Sequence, residues 1–126
     1  MDVPKNLFYT DKHEWVAFEG DVALIGITDH AQDSLGDIVF VSLPEVGQVL
    51  AAGDTVAEIE SVKAASAVYA PVGGTVAEVN EALSGSPEIV NQDAYGSWFI
   101  KLSGYEKNDG LMDAAAYEKF LAEEEA

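Results

Sequence analysis

The chain contains no cysteine and no arginine among its 126 residues. Without cysteine it can form no disulfide, no thiolate nucleophile and no cysteine-ligated zinc site, so any redox sulfur has to be added to the protein. No apolar run is long enough to cross a bilayer. Residues 1–5 lack an apolar signal core and the arginines of an organelle transit peptide. We therefore expect a cytoplasmic protein, or a mitochondrial one only if a transit peptide has been removed.

Positive charge is scarce, because 23 acidic residues face 6 lysines and give a net charge of −17. Such a surface repels phosphate backbones and anionic lipids, so we expect neither nucleic acid nor a membrane as a partner. Self-repulsion also favours a monomer. The acidic excess serves solubility, or it steers the protein onto basic patches of partner enzymes, and the sequence leaves both explanations open.

The chain has the length of one domain, which we place at residues 1–126. Short apolar runs at 8–9, 15–18, 22–27 and 38–41 read as strands, and frequent proline and glycine residues separate them. This spacing predicts a mainly β fold of short antiparallel strands joined by tight turns.

Two helices are expected beside the strands. The first is a short helix near 29–35, with Thr28 or Asp29 as its N-cap and Gly36 at its end. The second is a C-terminal helix over about 110–123, with Asp109 or Asp113 at its start. Three of its side chains fall on one face and are predicted to dock onto the domain's own core: Tyr117, Phe120 and Leu121.

An internal repeat surrounds one lysine. The sequence GDTVAEI at 53–59 returns as GGTVAEV at 73–79, and Lys63 lies between the two copies. A lysine in a turn is ordinarily only solvated. A repeat around it predicts two similar strand units with a modification site in the turn between them.

The lysine motif ESVKA at 60–64 resembles that of the glycine cleavage H-protein family, whose members are lipoyl carriers of the biotinyl/lipoyl-domain superfamily. The family's other motifs follow in order over about residues 7–121: HEWV at 13–16, GITDHAQD at 26–33, LGDIVFV at 35–41, LPEVG at 43–47, APVGG at 70–74, NEAL at 80–83, PE at 87–88 and WFIK at 98–101. The resemblance implies a barrel-sandwich hybrid (the lipoyl/biotinyl hammerhead) with a lipoyl-like core at about 20–103.

The resemblance further implies that Lys63 carries lipoate in an amide bond. Biotin carriers usually flank their lysine with methionines, whereas this chain has Val62 and Ala64, so lipoate is favoured. A lipoate ligase or octanoyltransferase would attach the group. The protein would then carry the aminomethyl group of glycine from a PLP-dependent glycine decarboxylase to an aminomethyltransferase, and dihydrolipoamide dehydrogenase would reoxidise the arm. In this scheme the chain is not an enzyme and has no catalytic residue.

Three further residues are candidates for the function of the arm. Glu60 and Ser61 precede Lys63 and either form part of the surface that the lipoylating enzyme reads or only shape the hairpin. Glu14, in the HEWV motif, is the candidate carboxylate for the ammonium of the loaded arm. Its alternative is a solvated carboxylate on a strand.

Two positions depart from the family pattern. Family members often have serine at position 12 and histidine at position 34, where this chain has Lys12 and Ser34. If either residue lines the cleft of the loaded arm, its packing differs here in detail.

Other polar residues do not predict a catalytic or metal site. Asp29, His30 and Ser34 supply the residue types of a hydrolytic triad, but an adjacent Asp and His on one short helix do not aim at each other. His13 and His30 are the only imidazoles and lack the close spacing of metal ligands, so no metal site is expected.

Two other functions remain open. An H-like protein can serve as a platform on which octanoyl or lipoyl groups are built and relayed, and this role would use the same Lys63. A member of another class would be an unmodified interaction module that keeps the fold without the arm. The intact ESVK motif counts against that module.

Overall fold

The computed structural model describes residues 2–125, so Met1 and Ala126, the ends of the predicted domain, lie outside the described residues. The described residues form nine strands and four helices. The strands are β1 (Phe8–Tyr9), β2 (Glu14–Glu19), β3 (Val22–Ile27), β4 (Ile38–Ser42), β5 (Val49–Leu50), β6 (Thr55–Ser61), β7 (Ala65–Tyr69), β8 (Gly74–Val79) and β9 (Ile100–Ser103). The helices are α1 (Asp29–Leu35), α2 (Ala82–Gly85), α3 (Ile89–Gln92) and α4 (Ala114–Glu125).

The strands make two antiparallel sheets. One has six strands in the order β1-β2-β3-β9-β8-β5, and the other has three in the order β4-β6-β7. The two sheets are not closed into a barrel. The predicted mainly β class and the antiparallel pairing are therefore confirmed.

The two copies of the sequence repeat become β6 and β8, which lie in different sheets. The prediction of two similar strand units is confirmed. The turn that holds Lys63 does not connect them, however, because residues 65–69 form β7 and pair with β6. Lys63 thus lies in the β6–β7 hairpin.

An apolar core between the sheets receives side chains from both, among them Ile25, Ile59 and Leu102, which are completely buried. In β6 the alternation of buried Ala57 and Ile59 with outward-facing glutamates follows the period of a strand. The register shifts between Thr55 and Ala57, and such a bulge explains why consecutive residues at its start are buried.

Helix α1 has the predicted caps. The Thr28 hydroxyl accepts a hydrogen bond from the Ala31 N–H at 3.2 Å. The helix ends at Gly36, whose φ of 74° is a conformation that glycine adopts without strain. The prediction of a helix near 29–35 is confirmed.

The C-terminal helix begins at Ala114, so of the two predicted starts Asp113 is confirmed and Asp109 is wrong, and the predicted lower bound of about 110 was too early. The preceding segment is extended, because Met112 and Tyr9 exchange two backbone hydrogen bonds of 2.8 Å. The Asp113 carboxylate then accepts from the Ala116 N–H at 2.8 Å and caps the helix. This long-range pairing, which local sequence does not reveal, moves the start of the helix.

Helix α4 docks on the chain through the predicted face. Tyr117 is fully buried and its ring stacks on that of Tyr9 at a centroid distance of 4.6 Å. Phe120 and Leu121 are partly buried against the same apolar cluster, which also contains Trp15. The predicted docking of this helix is confirmed.

Helices α2 and α3 were not predicted from the sequence. Each has four residues, which is too short for a helical periodicity of apolar residues to be recognised. Each nevertheless buries one apolar side chain, Leu83 and Val90 respectively. Among residues 2–125, no helix has both the length and the apolar character needed to cross a membrane.

Thr28→Val should lower the free energy of unfolding by about 2 kcal/mol, since it removes an N-cap and a buried hydrogen bond without changing the side-chain shape. The Thr28 hydroxyl is also 2.8 Å from the Tyr117 hydroxyl, so it connects α1 to α4. Urea unfolding measures the change. Thr55→Val, at an exposed strand position, is the control and should stay within about 0.5 kcal/mol of the parent. Equal effects of the two substitutions would contradict the role of Thr28.

Candidate functional site

Lys63 lies at the tip of the β6–β7 hairpin. Val62 and Lys63 occupy the two central positions of the turn, and the Ser61 N–H donates to the Ala64 carbonyl at 2.8 Å. Both central side chains are exposed, Val62 to 67%. The lysine amine is therefore presented at the end of a paired β structure.

The Ser61 hydroxyl holds this turn together. Its oxygen accepts from the N–H groups of Lys63 at 3.3 Å and Ala64 at 3.1 Å, and it donates to the Ala64 carbonyl at 3.1 Å. Neither Val62 nor Lys63 has a positive φ, so the hairpin does not use the turn types that two-residue loops favour. The hydroxyl supplies the local bonding instead. Ser61 therefore shapes the hairpin, whatever else it contacts.

The turn also rests on the segment that follows α1. The Val62 N–H donates to the Asp37 carbonyl at 3.0 Å. The Lys63 side chain lies over Gly36, where an added Cβ would be 3.0 Å from the Lys63 Cε. Gly36 thus ends the helix and leaves room for the stem of the lysine.

Asn91, on α3, fixes this supporting segment. Its Nδ2 donates to the Gly36 carbonyl at 2.8 Å and to Gln32 Oε1 at 3.0 Å, while its Oδ1 accepts from the Ile38 N–H at 2.9 Å. Sequence reasoning missed Asn91, because it belongs to no recognised motif and lies far from Lys63 along the chain. The local signals at Gly36 indicated only the end of a helix.

Glu60 faces outward on β6 and pairs with Ala65 on β7. Together with Phe40, Glu58 and Ala67 it lines a groove of about 340 Å³ on the outer surface of the three-stranded sheet. Phe40 is 51% exposed in this groove. An apolar surface bordered by two carboxylates therefore begins beside the Lys63 turn.

Glu14 is buried at the start of β2, with 2% of its surface exposed. Its Oε1 accepts from the Thr10 hydroxyl at 2.6 Å, and its Oε2 accepts from the Tyr69 N–H at 3.0 Å. The second bond crosses from the six-stranded sheet to β7 of the other sheet. The alternative of a solvated strand carboxylate is therefore wrong.

Burial raises the pKa of Glu14 above its ordinary value of 4.5, and the hydrogen bonds from Thr10 and Tyr69 oppose this rise. None of the ion pairs within residues 2–125 involves Glu14. Keeping a charged carboxylate out of water without a cationic partner is unfavourable. A cationic group entering the site would relieve that cost, so the site is suited to a ligand with positive charge.

Glu14 lines a cleft of about 350 Å³ with Lys12, Tyr69 and Asn108 among its neighbours. Of the two positions that depart from the family pattern, Lys12 is in this cleft, whereas Ser34 is exposed on α1 and is not among the lining residues. Lys12 therefore adds a positive charge to a cleft that already contains the carboxylates of Asp11 and Glu14.

Strand β7 connects the two candidate sites. Ala65 follows the Lys63 turn, and Tyr69 at the other end of the strand donates its N–H to Glu14. Four residues of strand span about 13 Å. Lys63 and Glu14 thus lie at opposite ends of one short strand.

The two histidines are close in space although they are separated in sequence. The rings of His13 and His30 stack with centroids 4.4 Å apart, and Glu124 lies beside both. The expectation that no metal site forms was based on the spacing of the histidines in the sequence. That spacing does not show that the two rings lie close together in the fold.

The chain is similar to proteins of known family. A sequence model of the family described as glycine cleavage H-protein matches residues 7–124. A glycine cleavage system H protein from Thermus thermophilus is 54% identical over 127 residues, which covers 98% of this chain and 99% of the relative. One from Thermoanaerobacter sp. is 55% identical over 126 residues, covering 98% of this chain and 100% of the relative.

Solved structures agree with the sequence relatives. The crystal structure of a glycine cleavage system H protein from Mycobacterium marinum superimposes with a TM-score of 0.85 at 33% identity, covering 98% of this chain and 100% of that one. The barrel-sandwich hybrid that the motifs implied is confirmed by this likeness.

Glu14→Gln tests the protonation state of the buried Glu14 carboxyl group. Between pH 4.5 and the raised pKa, the native state binds more protons at Glu14 than the unfolded state does, so the stability contributed by this group falls as pH rises through that window. The free energy of unfolding of the parent minus that of Glu14→Gln should therefore decrease as pH rises from 4.5 through the raised pKa of Glu14. Urea unfolding at several pH values measures it, and a difference that stays constant or grows with pH would contradict the burial argument.

Proposed function

The chain belongs to the glycine cleavage H-protein family, and on that premise we propose that it is a lipoyl carrier of the glycine cleavage system with Lys63 as its attachment residue. The observation that carries this proposal is the exposed lysine at the tip of a hairpin whose turn is bonded to Ser61 and Asp37. The β structure supplies a fixed base, and the exposed amine supplies the group to be acylated.

The surroundings of Lys63 fit lipoate. Amide formation removes the lysine charge, and Gly36 leaves the stem of the side chain free of contacts with a neighbouring Cβ. Glu60 and Ser61 are proposed to form the surface that a lipoate ligase or octanoyltransferase reads. Ser61 would do so by fixing the shape of the turn, and Glu60 by presenting a carboxylate next to it.

Glu14 is proposed to bind the ammonium of the aminomethyl group that the arm carries. To reach Glu14, a lysine side chain extended by an octanoyl-length acyl group would run along β7, whose rise from Ala65 to Tyr69 is about 13 Å. The buried carboxylate offers charge, and the cleft limits access of water to a group that water can release. Lys12 lines the same cleft, so its own ammonium opposes the one that Glu14 binds.

The protein itself is proposed to catalyse none of the reactions. Lipoate, when bound, supplies the dithiolane that takes up the aminomethyl group and the electrons. The partners are then a PLP-dependent glycine decarboxylase, an aminomethyltransferase and dihydrolipoamide dehydrogenase. We further propose that the chain is a single-domain protein of the cytoplasm. We also propose that it is a monomer, since its net charge of −17 disfavours self-association.

Incubation with lipoate, ATP and a lipoate ligase should add one lipoyl group, and peptide mapping should place it on Lys63. Lys63→Ala should abolish the added mass. Lys107→Ala, which removes another exposed lysine, is the matched control and should be modified like the parent. If the parent gained no mass while a known lipoyl domain was modified in parallel, the unmodified interaction module would be favoured instead.

Glu14→Gln should be lipoylated normally but lose its aminomethyl load about tenfold faster than the parent, because a charged hydrogen bond contributes about 1.5–3 kcal/mol. Lys12→Ser should have the opposite effect and slow the loss. Mass spectrometry of the loaded protein over time measures both rates.

Glu19→Gln changes the same charge at the exposed end of the same strand and should not alter the decay of the load. Equal decay in Glu14→Gln and Glu19→Gln would remove Glu14 from the proposed binding of the load, while leaving the role of Lys63 intact.

A further inference from the structure

Three side chains that are remote in sequence meet on one side of the molecule: His13 before β2, His30 on α1 and Glu124 on α4. His13 Nε2 is 3.2 Å from Glu124 Oε1, and His30 Nε2 is 4.0 Å from the same oxygen. One nitrogen or oxygen atom from each residue lies within 4.8 Å of those of the other two. The side chains of both histidines are 17% exposed, so the cluster remains open to solvent ions.

These atoms have the spacing and the chemistry of a metal site. Bonds of about 2.0–2.2 Å in a tetrahedral zinc site place neighbouring ligand atoms about 3.4 Å apart. The pair formed by His13 and Glu124 is already near that value. His30 Nε2 lies 4.0 Å from the same oxygen, and the ligand atoms of the two histidines lie within 4.8 Å of each other, so the His30 ring has to move closer to both partners to bind the same ion. Two imidazoles with one carboxylate suit zinc and similar transition metals, whereas magnesium and calcium prefer oxygen ligands alone.

The ring of His13 is oriented by a second hydrogen bond. Its Nδ1 is 2.7 Å from the Tyr117 hydroxyl, which is 2.8 Å from the Thr28 hydroxyl. A bond at Nδ1 fixes the ring and leaves Nε2 for a metal, an arrangement common to histidine ligands.

His30 lacks the internal partners that a buried histidine ordinarily has. Its Nδ1 is buried and has no hydrogen-bond partner among the described residues, and Nε2 is too far from Glu124 for a hydrogen bond. Leaving a mostly buried imidazole without such bonds is unfavourable. Coordination through Nε2 would give this ring one strong bond, although it would leave the buried Nδ1 without a partner.

We propose that His13, His30 and Glu124 form a binding site for one divalent transition-metal ion of the zinc class, with water completing its coordination. The bound ion links the turn before β2, helix α1 and helix α4. It therefore holds the C-terminal helix against the sheet, independently of any group on Lys63.

The untagged chain, freed of metal with a chelator, is to be titrated with Zn²⁺ by calorimetry and with Co²⁺ by visible absorption. Excess Mg²⁺ is included to occupy the acidic surface. We expect one equivalent of either metal, a Co²⁺ spectrum typical of imidazole ligation, and a Zn²⁺-dependent rise of several degrees in Tm.

His30→Ala and Glu124→Gln should each weaken Zn²⁺ binding at least about tenfold and remove the rise in Tm. Glu123→Gln is the matched control, because it removes the same charge from the adjacent exposed position of α4 and should bind like the parent. Glu124 is partly exposed, so its substitution tests the site even if His30→Ala fails to fold. His13→Asn completes the set, since asparagine tolerates the positive φ of 67° at that position.

The absence of stoichiometric Zn²⁺ binding by the parent in excess Mg²⁺ would overturn the proposal. Zn²⁺ affinity equal in Glu124→Gln and Glu123→Gln would overturn it too, because the metal would then be held by the acidic surface at large.

Discussion

The apolar core between the two sheets fixes the position of the Lys63 hairpin. Among the described strands, none of the three-stranded sheet pairs with one of the six-stranded sheet, so backbone hydrogen bonds within the sheets do not set their relative placement. Buried side chains from both sheets do this by packing, Ile59 from β6 and Leu102 from β9 among them. The hydrogen bond from Tyr69 to Glu14 crosses the same boundary. The hairpin and the Glu14 cleft therefore keep their separation as long as this core stays packed.

Local sequence patterns predicted the elements whose signal lies within a few residues. The apolar run of β3 and the capping residue Thr28 of α1 are examples, because burial and capping there depend on neighbours along the chain. The start of α4 was left open between Asp109 and Asp113. It is decided by the pairing of Met112 with Tyr9, two residues whose contact depends on the fold as a whole. The single turns α2 and α3 carry too few residues for any periodicity to be recognised.

The residues of the candidate sites also fall into two groups, those that local sequence motifs identified and those that they did not. Lys63 and Glu14 were identified as candidates from short motifs, since each belongs to a segment whose residue types resemble a known pattern. Asn91 was not found, because its role depends on three hydrogen bonds to a segment that is distant in sequence. The meeting of His30 with Glu124 was hidden for the same reason. Ligand spacing along a chain identifies metal sites only where the ligands share one element or loop, and here three separate elements supply them.

The negative net charge of the protein acts on both proposed sites through the same electrostatic attraction for cations. A net charge of −17 favours any cation near the surface, so the ammonium in the Glu14 cleft and a divalent ion at the histidines are both attracted. This long-range attraction does not distinguish one position from another, however, because salt screens the attraction between charges more than about 10 Å apart. Selection between positions has to come from short-range contacts: a buried carboxylate at Glu14, and two imidazoles with a carboxylate at the histidine cluster.

Lys12 also acts on the Glu14 cleft at short range. Its charge lowers the pKa of Glu14, although burial dominates and leaves that pKa raised. Lys12 therefore stabilises the empty cleft and weakens its preference for a cationic load.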